Sequence, residues 1–314
     1  MLRYIARRVL VAIPLLLIVG FCVFILLDLA PGDAASRVAG ENATPEEIIQ
    51  VRERLGLNDN VIVRYGEWLG NAVQGDLGRS LTTPQDVTDA IWSRLPITGS
   101  LALIAITITL VVAIPLGVLA ALRPNSLLDR GVSAIAALSM ALPPFVIGLI
   151  LVLLFAVKWA WLPATGYIPF TESPSEWLKH LILPALALAA IPTAELARQL
   201  RGSLVDALGN DYVRTARAKG MKERTVVFKH ALKNAAIPVI TVFGLQVGRL
   251  LAGSVTIEFI FVLPGFGRLA YDAVVSRDVP MIQGVVIVSA IIVITVNLLV
   301  DISYGFLNPR LRQR

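Results

Sequence analysis

The stretch ITGSLALIAITITLVVAIPLGVLAAL, residues 97–122, carries no charged side chain over 26 residues. A helix needs about 20 apolar residues to cross the hydrocarbon core of a bilayer. Over the whole chain 56% of residues are hydrophobic and 16% are charged, whereas soluble domains have about a quarter charged residues. The stretch therefore predicts a membrane-spanning helix, and the composition predicts an integral membrane protein.

Five other apolar runs have a similar length, which gives an all-α integral membrane protein with about six transmembrane helices. Helices are expected because hydrocarbon offers no partner to an unpaired backbone group. The first run is too long for a cleaved signal peptide and predicts a retained anchor. The predicted spans are Val9–Ala30, Ile97–Leu122, Val132–Val157, Leu181–Leu200, Ile237–Ile257 and Ile282–Phe306.

The distribution of basic residues predicts the orientation of these spans. With both termini on the cytoplasmic side, 17 Lys and Arg residues lie on that side and 10 on the other. Basic residues are enriched in cytoplasmic loops, and charges in long loops count less. Both termini are therefore predicted to be cytoplasmic, as is the basic stretch at residues 198–236.

The predicted external segment, residues 31–96, has the features of a small helical cap. Thr44, Pro45 and Glu47 have the spacing of a capping box with proline at the first helical position, and Gly56 is placed to end that helix. The segment carries 6 basic and 10 acidic residues. Its negative surface is either a solvated face or part of a docking surface for an external partner.

The most basic part of the chain is DYVRTARAKGMKERTVVFKHALKNAAIP, residues 211–238. Apolar residues recur in it at helical spacing with lysines on another side, and Gly220 interrupts the pattern, which predicts two short helices joined at a bend. Such a helix can lie on anionic lipid or in a groove of a cytoplasmic partner. Nucleic-acid binding is disfavoured because no reader fold accompanies the basic residues.

Several kinds of chemistry are excluded by residues that the sequence lacks. A single cysteine, Cys22, gives no disulfide framework, and His180 and His230 lack the spacing of metal ligands. There is no P-loop motif for phosphate and no nucleophile elbow. The chain is therefore expected to carry no catalytic residues, metal or cofactor of its own.

Polar residues inside the predicted spans are candidates for a translocation pathway, because charges at bilayer depth are costly and usually face an interior or water. Polar contacts between helices and snorkelling near a span end are the alternatives. Arg249 is the strongest candidate because it lies deepest, and Glu195 can pair with Arg198 at i,i+3. The candidate pathway residues are Asp28, Glu195, Gln246, Arg249 and Asn297.

Small residues recur every four positions in the fifth span, at Gly244, Gly248 and Ala252. Such a stripe lets another helix approach closely. The approaching helix belongs either to this chain or to a second membrane subunit. In the third span Pro143 and Pro144 predict a bend.

The basic stretch resembles the cytoplasmic EAA loop of ABC-importer permeases, in the form found in the dipeptide/oligopeptide/nickel family. Tyr-Val-Arg-Thr-Ala-Arg-Ala-Lys-Gly at 212–220 and His-Ala-Leu-Lys-Asn-Ala at 230–235 match that form, although only Ala216, Gly220 and Leu232 match the general motif. Further similarity extends along the chain, with departures at Ala34 and Asn308. It covers LAPGD (29–33), GDLGRS (75–80), RLPIT (94–98), IEFIFVLPGFGRL (257–269) and LNPRLR (307–312).

The resemblance implies a type I ABC-importer permease of the first-permease type in the peptide systems. The implied division is 1–30 for the N-terminus and first span, 31–96 for the extracytoplasmic segment and 97–314 for the permease core with the coupling loop 201–236. The residues implied in ATPase coupling are Tyr212, Arg214, Thr215, Ala216, Arg217, Ala218, Lys219, Gly220, Met221, His230 and Leu232.

The resemblance also implies the partners and the place of the protein. These are a second homologous permease, two cytoplasmic ATPase subunits that hold ATP and Mg²⁺, an extracytoplasmic substrate-binding protein and the lipid of a bacterial inner membrane. Di- or oligopeptides are the expected cargo, with nickel or another small solute as the alternative. An ATP-independent transporter or channel and an intramembrane enzyme are less favoured, because no inverted repeat and no catalytic set is evident.

Overall fold

A computed structural model describes residues 2–28, 34–39, 43–54, 56 and 58–307. Helices make up most of this part of the chain, and an antiparallel bridge pairs Arg79 with Asp86. The helices are α1 (Leu2–Asp28), α2 (Ala34–Ala39), α3 (Pro45–Arg54), α4 (Val61–Val73), α5 (Val87–Leu122), α6 (Leu127–Ala141), α7 (Pro144–Leu151), α8 (Pro174–Gly209), α9 (Asp211–Ala218), α10 (Glu223–Thr225), α11 (Leu232–Ile260), α12 (Phe266–Ser276) and α13 (Val279–Leu307). A π-helical segment, Val152–Lys158, continues α7, and another, Val226–Ala231, joins α10 to α11.

Within the described residues, four helices are long and apolar enough to cross a membrane, or five if the bent pair α6–α7 is one span. The four are Val87–Leu122, Pro174–Gly209, Glu223–Ile260 and Val279–Val300. The first predicted span falls in α1, whose apolar part Leu10–Leu26 is shorter. The all-α fold class predicted from the sequence is confirmed.

The third predicted span needs correction, because it is not one helix. Helices α6 and α7 meet at an angle of 106°. Leu142 is extended, with φ −96° and ψ 131°, and so is Pro143, with φ −59° and ψ 146°. A residue before proline is pushed out of the helical region, so two successive prolines leave two extended residues between the helices. The predicted bend is therefore a complete break.

Contacts divide the chain into two compact units. One contains residues Ile97–Gly267 and the chain from Val296. In it, two apolar clusters lie along α8. One includes residues of α5, α9 and α11, and the other includes residues of α5, α11 and the loop after α11, with the end of α7 packed against it. Gly117 of α5 permits close packing there, because a Cβ at this position would lie 2.9 Å from the carbonyl oxygen of Ala197.

The other unit contains the chain up to Pro96 together with Arg268–Thr295. The predicted external segment contains the helices α2, α3 and α4. The capping box is present, since the Thr44 amide donates to Glu47 at 2.8 Å and the Glu47 amide to Thr44 Oγ1 at 3.4 Å. Gly56 follows α3 with φ +62°, as predicted. Tyr65 of α4 donates to the Leu17 carbonyl of α1 at 2.8 Å.

Candidate functional site

The predicted bend in the basic segment is a helix-ending turn at Gly220. The Gly220 amide donates to the Arg217 carbonyl at 2.9 Å, and the Met221 amide donates to the Ala216 carbonyl at 3.3 Å. These two bonds form a Schellman motif, which needs a left-handed residue after the helix. Gly220 has φ +71°. The predicted bend is confirmed, with the short helix α9 before it. The predicted second short helix is not separate, because α10 continues through the π-helical segment into α11 as one 38-residue helix, Glu223–Ile260.

One face of α9 packs into the core of the chain. Val213 is fully buried and Ala216 is 7% exposed. Both belong to an apolar cluster with Leu204 and Ala207 of α8. Ala216 is one of the residues that the resemblance implies in ATPase coupling. The structure shows that it permits close approach of α9 to α8 of this chain, which fixes the position of the helix.

The opposite face of α9 and the turn are open to solvent. Tyr212 is 40% exposed and Met221 41%. The ion pair between Arg214 and Asp211 is long, at 3.6 Å. We name this exposed surface the coupling surface, after the role that the resemblance implies for its residues. It consists of Tyr212, Arg214, Thr215, Arg217, Ala218, Lys219, Gly220 and Met221.

An ion pair crosses the turn and orients its two sides. Arg217 donates through Nε to Glu223 Oε2 at 3.1 Å and through Nη2 to Oε1 at 2.6 Å. These hydrogen bonds raise the pKa of the Arg217 guanidinium. Both side chains are about half exposed, so the pair contributes at most about 1 kcal/mol to stability. Its main consequence is geometric, because it holds α10 against the end of α9.

The last two residues that the resemblance implies in ATPase coupling are His230, in the second π-helical segment, and Leu232, at the start of α11. Leu232 packs against the same apolar cluster as α9. His230 has a buried Nε2 atom that makes no hydrogen bond within the described part of the chain. A buried polar atom without a partner is unfavourable.

Three of the five candidate pathway residues meet between α8 and α11. The side-chain amide of Gln246 donates to the Glu195 carboxylate, and Arg249 Nη1 lies 3.8 Å from Glu195 Oε2. Gln246 is buried, the Glu195 side chain is 21% exposed and the Arg249 side chain 69%. The pairing of Glu195 with Arg198 that their spacing allows is not formed. Arg198 is exposed, because the carboxylate of Glu195 turns toward α11.

Within the residues that the structure describes, the other two pathway candidates do not belong to this cluster. Asn297 is exposed on α13. Asp28 ends α1, and its side chain lies outside the described residues.

The small-residue stripe of α11 has two different environments. A Cβ at Gly244 would overlap the side chain of Val300 in α13, so this glycine serves packing within the chain. A Cβ at Gly248 would meet no atom within 4 Å, and Ala252 is exposed. The part of the stripe from Gly248 to Ala252 is therefore free to meet another molecule.

Comparisons with known proteins identify the family. Residues 113–313 match the binding-protein-dependent transport system inner membrane component, and residues 1–102 match the N-terminal part of such membrane components. The chain belongs to this family. It is thus a multi-pass inner-membrane permease subunit of an ABC transport system, and membership implies an ATPase and a substrate-binding protein as partners.

Relatives of this permease cover its full length. The oligopeptide transport system permease protein AppB of Bacillus subtilis (strain 168) is 41% identical over 316 residues, 99% of both chains. The di/tripeptide transport system permease protein DppB of Pseudomonas aeruginosa (strain UCBPP-PA14) is 41% identical over 335 residues, covering all of both chains. A Brucella abortus (strain 2308) protein named as a candidate peptide transport permease is 44% identical over 312 residues, 99% of both chains.

A solved structure shares the fold of this permease. The crystal structure of an amino acid ABC transporter with histidines aligns with a TM-score of 0.53 and 17% identity. The alignment covers 69% of this chain and 94% of the other. At this identity the similarity shows the fold alone.

Three buried carboxylates of the permease were not singled out from the sequence. Asp129 pairs with Arg201, Glu258 accepts from Thr98, and Asp278 accepts from the loop around Ser80. Two of them carried a local signal: Asp129 follows Ser126 at capping spacing, and Asp278 directly precedes α13. Their long-range partners had no signal, because those partners lie 72 to 198 residues away.

Asp278 fixes a loop of the unit that contains the predicted external segment. Its carboxylate accepts bonds from the Ser80 hydroxyl, from Thr82 Oγ1 at 2.9 Å and from the Leu81 amide at 3.2 Å. It also accepts from the Met281 amide at 3.3 Å, which caps α13. One buried carboxylate thereby sets the position of the GDLGRS segment on the first turn of α13.

The described residues contain no group of three or more His, Cys, Asp or Glu side chains close enough to hold a metal ion. Cys22 is exposed.

Proposed function

We propose that this permease imports di- and oligopeptides, using ATP hydrolysed by separate subunits, with both of its termini in the cytoplasm of a bacterial cell. The observation that carries the proposal is its similarity, over the whole length of the chain, to permeases named for oligopeptide and di/tripeptide systems. Nickel, the alternative cargo considered from the sequence, has no observation in its favour.

The coupling surface is proposed as the contact with two ATPase subunits, which hold the ATP and Mg²⁺. The apolar face of α9 is anchored in the core while its basic face is open, and a displacement is transmitted only by an element held firmly on one side. The exposed side chains of Arg214 and Lys219 are available for acidic groups of an ATPase.

The cluster of Glu195, Gln246 and Arg249 is proposed to line the pathway. A peptide is zwitterionic, so a pathway that binds it needs both an acceptor and a cation. Glu195 and Arg249 provide both, and the large exposure of Arg249 leaves its guanidinium accessible. The open part of the stripe, Gly248 to Ala252, is proposed to face the second homologous permease.

The substrate is tested by uptake in a strain from which the gene for this chain has been deleted. Labelled dipeptide and labelled Ni²⁺ are offered separately to the deletion strain and to the strain complemented with the gene. We expect that complementation restores dipeptide uptake and leaves Ni²⁺ uptake unchanged. Restoration of Ni²⁺ uptake alone would contradict the peptide proposal.

The orientation is tested by labelling single cysteines with a membrane-impermeant maleimide. In a Cys22→Ser background, Lys219→Cys tests the coupling surface and Gln85→Cys tests the predicted external segment, since both positions are exposed. We expect labelling of position 85 in intact cells and of position 219 only in inverted vesicles. The reverse pattern would place the coupling surface outside the cell and refute an ATPase contact.

A further inference from the structure

An ion pair between Asp129 of α6 and Arg201 of α8 joins two helices in the described part of the chain. Arg201 Nε donates to Asp129 Oδ1 at 2.9 Å, and Nη2 donates to Oδ2 at 2.7 Å. The Asp129 side chain is 4% exposed and the Arg201 side chain 32%. This is the two-pronged geometry in which arginine and carboxylate fix each other in both distance and orientation.

Asp129 also organises the turn between α5 and α6. Its Oδ2 accepts the amide of Asn125 at 2.8 Å, and its own amide donates to Ser126 Oγ at 3.2 Å. Asn125 has φ +63°, a conformation that asparagine tolerates. One carboxylate therefore joins three parts of the chain: the turn after α5, the first turn of α6 and the C-terminal third of α8.

Arg201 lies on the helix that leads into the coupling surface. Only Asn210 separates α8 from α9, and Leu204 and Ala207 of α8 share an apolar cluster with Val213 and Ala216 of α9. A displacement of α9 is therefore passed directly to α8. From α8 to α6, apolar contact is non-directional and permits sliding, whereas a bidentate ion pair fixes the register of the two helices.

We propose that Asp129 and Arg201 form a positioning latch that makes α6 and the α5–α6 turn move with α8 when α9 is displaced. The latch rests on the proposed function, because the displacement comes from the ATPase subunits. The break after Ala141 supports this proposal. Because α6 and α7 meet at an angle of 106°, α7 does not continue α6 as one rigid helix, and α6 needs another contact to fix its position.

Three variants separate a positioning role from a merely stabilising one. Asp129→Asn keeps an oxygen for the Asn125 amide but loses the charge, and Arg201→Gln loses the guanidinium. Each alone leaves the partner charge uncompensated, which destabilises a buried site. The double variant, Asp129→Asn with Arg201→Gln, has no uncompensated charge, so we expect normal assembly without the bidentate latch.

The first measurement is made on the complete transporter in proteoliposomes with its binding protein and labelled dipeptide. We expect the double variant to assemble in wild-type amount while the peptide taken up per ATP falls about fivefold, the lower end of coupling between distant sites. Lys179→Gln is the control, because it breaks an exposed ion pair with Glu176 on the same helix, and its ratio should equal that of the wild type. A ratio of peptide to ATP in the double variant equal to that of the wild type would overturn the latch.

The second measurement follows the helices directly and needs nucleotide but no peptide. Spin labels are placed at Leu127, which is 87% exposed on α6, and at Asp206, which is exposed on α8, in a Cys22→Ser background. We expect one distance with and without ATP in the otherwise wild-type chain, and a nucleotide-dependent distance in the double variant. A constant distance in both, or a changing distance in both, would overturn the latch. Absence of dipeptide uptake by the wild type would refute the proposed cargo instead.

Discussion

At the scale of single residues, the most deeply buried carboxyl group among the described residues of the permease is that of Glu258. It is completely buried near the end of α11, where Thr98 Oγ1 donates to its Oε1 at 2.5 Å and accepts from the Phe266 amide at 2.8 Å. Gly265 and Gly267 pack on the carboxylate, and a Cβ at Gly265 would overlap it. A buried polar group is unfavourable without hydrogen bonds, so the bond from Thr98 stabilises the carboxyl group of Glu258. The same hydroxyl connects α5, α11 and the start of α12.

Replacing Thr98 by valine should destabilise the permease, because Glu258 loses a donor and the Phe266 amide loses its acceptor. We expect a cost of about 1–3 kcal/mol, as for an unsatisfied buried polar group. Thermal unfolding of the purified chain in detergent measures it. Thr107→Val is the matched control on the same helix, since the Thr107 hydroxyl is exposed and bonds only its own helix at Leu103. Equal unfolding temperatures for the two variants would contradict the prediction.

Gly220 is required for its backbone conformation and not for space. A Cβ there would meet no atom within 4 Å, but φ is +71°, and the left-handed region costs an ordinary residue about 1–2 kcal/mol. We therefore expect Gly220→Val to uncouple ATP hydrolysis from dipeptide uptake, while Gly220→Asn retains most of the coupling because asparagine tolerates this region. The ratio of peptide to ATP in proteoliposomes is measured for both. Equal coupling in the two variants would show that the turn conformation is unimportant.

At the scale of elements, α11 presents one small-residue stripe to two environments. Gly244 packs against Val300 of α13, whereas Gly248 has open space. A stripe of small residues is defined by spacing alone, so the sequence could not distinguish a contact within the chain from a contact with a partner. The rotation of α11 against α13 decides which glycine is covered.

Gly244→Ala and Gly248→Ala form a matched pair that tests this division. Overpacking a close contact costs about 1–3 kcal/mol, so Gly244→Ala should lower the unfolding temperature of the isolated chain and Gly248→Ala should leave it unchanged. A larger change, Gly248→Leu, should weaken co-purification of the second permease if the open part of the stripe faces it. Undisturbed co-purification with Gly248→Leu would remove this surface from the proposed interface.

At the scale of the whole molecule, the proposed mechanism requires the coupling surface and the polar cluster to respond to one another. Both belong to the unit that contains Ile97–Gly267, and α8 carries Glu195 of the cluster as well as Arg201 of the latch. The 14 residues of α8 that follow Glu195 and end at Gly209 span roughly 20 Å at the rise of a helix. A displacement received at α9 can therefore reach the proposed pathway along one helix.

Arg249→Leu should reduce dipeptide uptake by the assembled transporter about tenfold or more, because a lost charge-assisted bond of about 1.5–3 kcal/mol corresponds to that change in affinity. Assembly should be unaffected, since the Arg249 side chain is 69% exposed. Arg198→Leu is the control, an exposed arginine on α8 outside the cluster. Uptake is compared at equal amounts of assembled complex, and unchanged uptake in Arg249→Leu would exclude Arg249 from the pathway.

The sequence by itself determined the features that depend on neighbours along the chain. Uncharged runs long enough for a bilayer predicted membrane helices, Thr44 and Glu47 predicted a capped helix, and Gly220 predicted the turn, because length, capping and left-handed backbone are local properties. The double proline was recognised as a bend, but the complete break after Ala141 was not predicted.

The tertiary structure alone decided which polar groups meet. Glu195 pairs with α11 and not with Arg198, Asp129 finds Arg201, and Ala216 faces its own core. The physical reason is that these contacts depend on how helices distant in sequence rotate and pack against one another. The apolar composition of the helices gives almost no signal of that packing. Spacing along one helix indicates which side chains share a face, and only the packing of helices determines what that face contacts.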